Sequence, residues 1–186
     1  MKTNDRRITD LMSSIHSGKT QLPDFQRGWV WDDNRIQSLI ASITNGYPVG
    51  AAMFLEYGNE NIRFKYRVLE GSPSVDAVPA ELILDGQQRL TSIYAALFCT
   101  DAVNTRTDKG QQIKRYYYID MEKSIDSSVD REEAIFSVPE SRQITSDFGR
   151  KIDKDLSTAE LEYEQKMFPL NNILDPSRYS VVDFLK

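Results

Sequence analysis

The chain has 186 residues, an apolar fraction of 40% and a formal net charge of −5. That is enough apolar material for a buried core, while the acidic balance excludes a surface uniformly adapted to DNA or anionic membranes. One histidine, His16, and one cysteine, Cys99, exclude a His/Cys zinc cluster and an internal disulfide framework, and they argue against a histidine-based catalytic triad. Chemistry must rest on carboxylates, arginine, amides, hydroxyls or a metal held by oxygens. With no run resembling a signal peptide or a membrane span, and Cys99 reading as a buried free thiol, the expected compartment is a reducing cytoplasm.

In chain order, Ile8, Leu11, Met12 and Ile15 recur at helical spacing and stop at Gly18. Residues 21–25 read as an extended piece whose Pro23 suits a sheet edge or a strand start. Gln26 to Trp31 is a loop rich in aromatics. Asp32 or Asp33 caps a helix with the apolar face Ile36, Leu39, Ile40 and Ile43, ended by Asn45-Gly46 and Pro48. Val49 to Tyr57 reads as a mostly apolar and therefore central strand. A turn over 59–61 leads to residues 62–68, where apolar and basic residues alternate as in a half-exposed strand. A polar loop over 71–79 precedes a strand over 81–84 and a helix buried through Leu90, Ile93, Tyr94 and Leu97. Residues 101–112 read as a hydrophilic loop, 115–121 as a strand with three consecutive tyrosines, and 134–138 as a short strand. Ser157-Thr158-Ala159-Glu160 opens a helix, which Phe168-Pro169-Leu170 breaks. A new apolar pattern over 181–185 suggests the N-terminal fragment of a longer protein. The layout predicts one α+β domain over 1–186, with a small mixed sheet flanked by helices.

The most informative stretch is Leu82-Ile83-Leu84-Asp85-Gly86-Gln87-Gln88-Arg89-Leu90-Thr91-Ser92. Strand, tight turn and helix start present backbone N–H groups to an anion. Gly86 permits a sharp turn, Arg89 offers a rigid donor fork for phosphate, and Asp85 suits magnesium or a proton. Gln87 and Gln88 can hold a water or read a base edge, and Thr91 and Ser92 add hydroxyls. These types match phosphoryl transfer, where positioning and charge compensation do most of the catalysis. The same residues also suit a plain capping network in which Arg89 pairs with Asp85 and the glutamines face solvent. A second amide–guanidinium pair, Gln26-Arg27, stands between Phe25 and Gly28-Trp29-Val30-Trp31. Its tryptophans suit either base stacking or core anchoring. Two such segments, each at the exit of a β piece, point to convergence on one site. Basic residues Arg63, Lys65, Arg67, Lys114 and Arg115 read as solvated faces. Neither G-x-x-x-x-G-K-[ST] nor G-x-G-x-x-G occurs, so a bound nucleotide would use another scheme.

Taken together, Leu22 to Trp31, Ile43 to Gly50 and Leu84 to Thr91 resemble, in order, the N-terminal domain of GmrSD-type modification-dependent restriction systems. The similarity covers most of residues 5–120, and Phe168-Pro169-Leu170 resembles a later segment of that family. The resemblance implies a ParB/sulfiredoxin-like fold in which Asp85-Gly86-Gln87-Gln88-Arg89 binds and hydrolyses a nucleotide. It implies magnesium and a nucleoside triphosphate as cofactor and ligand, and coupling to an HNH-type nuclease domain or subunit that attacks foreign, often modified, DNA. Nothing in this chain resembles that nuclease, so the chain would be the regulatory NTPase half. In that picture the triphosphate lies at the helix start after Gly86, with Gln26, Arg27, Arg89 and Thr91 also binding it. Arg27 and Arg89 compensate charge, Gln87 or Gln88 orients the attacking water, and Asp85 holds magnesium or polarises that water. Two readings of other classes compete: a DNA- or partner-binding module without catalysis, and a metal-dependent nuclease acting through Asp85. Scarce carboxylates near Asp85 disfavour the nuclease.

Overall fold

The computed structural model describes residues 5–58, 64–174, 182 and 184. The fold is mixed α+β, with small mixed sheets and, among the described residues, six α-helices. The chain divides into two compact units. One comprises the residues up to Val30 together with Gly50–Ala95; the other comprises Trp31–Val49 and the chain from Ala96 onward.

In the first unit, α1 (Ile8–His16) buries Leu11, Met12 and Ile15, one helical face. Its four-stranded sheet runs in the order β2 (Met53–Glu56), β4 (Glu81–Asp85), β1 (Thr20–Pro23), β3 (Tyr66–Arg67). β1 is parallel to β4, with Thr20 opposite Glu81, and antiparallel to β3, with Leu22 opposite Arg67. β2 is antiparallel to β4, with a register shift between Met53 and Phe54. Gly86 then turns the chain into α3 (Gln87–Leu97), whose Leu90, Ile93 and Tyr94 are buried as the periodicity predicts. The His16 ring nitrogen Nδ1 and the Tyr94 hydroxyl are hydrogen-bonded at 2.7 Å.

Two strand expectations are corrected here. β1 is internal and wholly buried rather than an edge. Pro23 is tolerated because it is the last strand residue, and the next amide, Asp24 N–H, resumes bonding to Lys65 O at 3.0 Å. The stretch 49–57 supplies only the short strand β2, and at the edge. Apolar content alone does not reveal which side of a strand lacks a neighbour. The expected turn over 59–61 and residues 62–63 of the alternating segment lie outside the described residues.

The second unit contains α2 (Asp33–Thr44), capped by Asp32, whose carboxylate accepts the Arg35 N–H at 2.9 Å. Its largest strand is β6 (Gln112–Asp120), which pairs antiparallel with β5 (Val103–Arg106), β7 (Ile135–Pro139) and β10 (Met167–Pro169). β5 corrects the expected hydrophilic loop over 101–112. In Val103-Asn104-Thr105-Arg106, Val103 and Thr105 are buried, and the polar threonine hides the alternation. Short helices α4 (Met121–Ile125) and α5 (Arg131–Ala134) lie between β6 and β7. A hairpin of β8 (Gln143–Ser146) and β9 (Lys151–Asp155) precedes α6 (Ala159–Glu164), which Thr158 caps through Leu161 N–H. Tyr118, Val138, Leu156 and Met167 form a fully buried cluster in this unit. Cys99 is a half-buried free thiol. No helix among the described residues is long and apolar enough to cross a membrane.

Candidate functional site

The site belongs to the first unit and is built on the exit of β4. A parallel neighbour on one side and an antiparallel one on the other hold β4 in place, so its last residue, Asp85, has a defined position. The Asp85 side chain is 71% exposed, and one oxygen lies 3.4 Å from Arg89 Nη2, one helical turn on. Gly86, at φ +90°, makes the turn, and its carbonyl accepts the Leu90 N–H at 2.9 Å, the first bond of α3. The N–H groups of Gln87 and Gln88, ahead of that bond, therefore have no acceptor within the helix, the arrangement that attracts anions.

Backbone surrounds the Arg89 guanidinium. Nη2 donates to Ala51 O at 2.7 Å. Gly50, at φ +87°, faces the guanidinium so closely that a Cβ there would collide with Nη1. At Gly86 a Cβ would lie 3.1 Å from the Ala52 side chain. Two glycines thus let the 50–52 segment and the turn close around one arginine.

The two Gln-Arg segments meet through their backbone and amides. Gln26 Nε2 donates to Ile83 O at 2.6 Å and to Leu84 O at 3.0 Å, tying the loop to the end of β4. Gln87 Nε2 donates to Arg27 O at 2.7 Å. Gln88 uses both ends of its amide: Nε2 donates to Gly28 O at 3.2 Å, and Oε1 accepts the Val30 N–H at 2.9 Å. Gln87 is only 7% exposed, so the glutamines do not face solvent as a plain capping network would have them. Trp29 acts as an anchor, its indole N–H donating to Ser92 Oγ at 3.0 Å. Thr91 is fully buried, and its hydroxyl has no hydrogen-bond partner among the described residues. The Arg27 side chain is exposed.

Sequence reading missed two contributors. Arg67 Nη2 lies 3.3 Å from both Gln26 O and Arg27 O, and its Nη1 donates to Glu70 Oε1 at 3.0 Å. The same Glu70 oxygen accepts the Trp29 N–H at 3.1 Å. Arg67 was visible only as one of several alternating basic residues, and Glu70 carried no signal at all. Trp31, assigned to the second unit, contributes its carbonyl to Thr105 Oγ1 at 3.0 Å there.

Among the described residues, no three His, Cys, Asp or Glu side chains gather closely enough to cage a metal ion. The donor set does fit a magnesium ion that arrives with a nucleotide, because such an ion keeps several waters and takes one or two carboxylates plus phosphate oxygens. Asp85 is the exposed carboxylate beside the helix start.

This geometry lies inside a region that matches a known family model. The model for the GmrSD restriction endonuclease, N-terminal domain, matches residues 8–184. The chain belongs to the GmrSD N-terminal domain family. Both Gln-Arg segments, and the glycine that faces Arg89, fall within the match. A Methanocaldococcus jannaschii protein described as uncharacterized is 27% identical over 180 residues, covering 94% of this chain. The chain spans 30% of that relative's length.

Proposed function

We propose that this GmrSD N-terminal domain binds and hydrolyses a nucleoside triphosphate and thereby regulates a modification-dependent restriction system directed at foreign DNA. One observation carries the reading: the Gln26-Arg27 loop and the Asp85–Arg89 turn, remote in sequence, are tied together at the start of α3. The N–H groups of a helix start, an exposed carboxylate and two guanidinium-bearing segments are what a phosphate chain requires.

In this mechanism the N–H groups of Gln87 and Gln88 bind phosphate oxygens. Arg89 is held by Ala51 O and Asp85 and sets its positive charge beside the charge that develops on the transferred phosphoryl group. Arg27, exposed on the docked loop, adds the second positive charge. Gln88 braces the loop with both ends of its amide, so the side-chain oxygen Oε1 of Gln87, whose Nε2 is bound to Arg27 O, is the acceptor that orients the attacking water. Bound magnesium would supply charge neutralisation, with Asp85 as its protein ligand. Gln26 acts through the backbone it fixes, and buried Thr91 supports the helix beneath the phosphates. We read the first unit as the ParB/sulfiredoxin-like part, with its mixed sheet and the helix leaving β4 at the ligand. The partner is an HNH-type nuclease domain or subunit that contacts DNA, and the setting is the cytoplasm.

Phosphate release from each of the four NTPs with magnesium tests the reading. Turnover by the parent chain, abolished in folded Asp85→Ala and Arg89→Ala variants, is the expected result. Turnover unchanged in both variants refutes the site. Salt-dependent retention on DNA without turnover would favour the binding module, and magnesium-dependent DNA cleavage lost in Asp85→Ala would favour the nuclease.

A further inference from the structure

We propose that Arg67 and Glu70 are positioning residues for the nucleotide site, which set the backbone from which Arg27 reaches the phosphates. The inference rests on the nucleotide reading of the site and adds to it two residues that lie outside the Gln-Arg segments. Arg67 projects from β3, paired opposite Leu22 of β1, so its origin is a sheet position rather than a loop. From there its Nη2 lies at hydrogen-bond distance from two successive carbonyls, Gln26 O and Arg27 O. Glu70 Oε1 accepts from Arg67 Nη1 and from Trp29 N–H, so one carboxylate oxygen links the arginine to the far end of the same loop.

The Arg27 carbonyl is where the two sides meet. It accepts from Arg67 on the β3 side and from Gln87 on the α3 side. Fixing the carbonyls of a residue and of its predecessor leaves little freedom in the peptide plane between them, and so fixes the direction in which Cβ leaves. The Arg27 side chain is exposed and, among the described residues, makes no hydrogen bond or ion pair to justify that restraint. Glu70 makes the restraint costly, because its second oxygen, Oε2, is buried with no hydrogen-bond partner among the described residues. A loop held only for stability would be served as well by an apolar contact. A guanidinium that must meet a phosphate benefits from a preorganised origin.

The test is a double-mutant cycle on the full chain, reading the affinity for fluorescent ATP and GTP analogues with magnesium. In the parent background Arg67→Ala should weaken binding about tenfold. In the Arg27→Ala background it should change binding less than about twofold, because the group it positions is gone. Arg67→Lys keeps the charge but has no fork to span two carbonyls and Glu70, so it should not rescue binding. It should also speed hydrogen exchange at the Trp29 amide. Equal losses in both backgrounds, or unaltered Trp29 exchange with parental affinity in Arg67→Lys, would overturn the inference and leave the nucleotide site standing. Absence of binding to either analogue by the parent, or binding untouched by both Arg27→Ala and Arg89→Ala, would overturn the site reading and this inference with it. If Arg67→Ala does not fold, Glu70→Gln replaces it in the same cycle, with the same two criteria.

Discussion

Arg89 is the residue on which the site turns, and its surroundings make sharp demands on its neighbours. Gly50 sits at φ +87° against the guanidinium, so Gly50→Ala meets two obstacles at once. The backbone conformation costs about 1–3 kcal/mol for a residue with a Cβ. The new methyl group also displaces Nη1, so nucleotide turnover should fall more than stability does. Thermal melts and phosphate release on the same preparation separate the two effects. Arg89→Ala should reduce kcat/KM by about a hundredfold or more, the scale for a lost charge-stabilising donor. Arg89→Lys should recover little, because an ammonium cannot reproduce a fork that contacts Ala51 O and Asp85 together. Residue chemistry identified Asp85, Gln87, Gln88 and Arg89 as a group, since so many hydrogen-bonding side chains seldom follow an apolar strand. What each amide bonds to was not legible, because a glutamine's partners are set by whatever loop happens to pack against it.

At the level of elements, the second unit offers tests independent of the nucleotide. Glu162 of α6 is wholly buried and accepts from the Tyr118 hydroxyl of β6 at 2.7 Å and from Arg142 at 3.3 Å. Glu162→Ala removes the acceptor for a buried hydroxyl and should cost about 1–3 kcal/mol in urea unfolding. The β8–β9 hairpin carries an acid-sensitive group. Hydrogen bonds from the side chains of Ser157 and Gln143, and from the Ser157 backbone, hold the Asp155 carboxylate below the usual aspartate range. A lowered folded pKa means that the stabilisation is complete above the ordinary aspartate range and fades as pH falls through that range and below it. Urea midpoints measured across the acid limb should therefore drop less steeply in Asp155→Asn than in the parent. The longer helices were the elements most legible beforehand: of Asp32 and Asp33 the first is the N-cap, and the start read over residues 157–160 is real, although Thr158 and not Ser157 caps it. Strand β5 was not legible, because a buried threonine looks like loop in a count of apolar residues.

For the whole molecule, the family and the longer relative set the frame. The chain spans 30% of the length of its Methanocaldococcus jannaschii relative, and an HNH-type nuclease is the partner we propose. Ligand linkage gives a direct measurement on this chain. A nucleotide that binds only the folded state, present with magnesium at about a hundred times its Kd, should raise stability by about 2.7 kcal/mol. The gain should disappear on chelation of magnesium with EDTA and in Asp85→Ala. A gain that survives both would remove Asp85 and magnesium from the binding scheme. On the proposed reading of a restriction system directed at foreign DNA, Asp85→Ala in the complete system should raise phage plaque counts while leaving protein levels unchanged.

Sequence alone determined the four longest helices, α1, α2, α3 and α6, the strand–turn–helix at Gly86 and the membership of a family, because these depend on local spacing or on ordered motifs. It also marked Gln26-Arg27 and Gln87-Gln88-Arg89 as companions. Tertiary structure decided which strands lie inside a sheet, how the two segments join, and that Arg67 and Glu70 grip the loop between them. Those outcomes depend on contacts between residues forty to sixty positions apart. No local pattern encodes such contacts, since a carbonyl accepts from whichever donor the fold brings within reach.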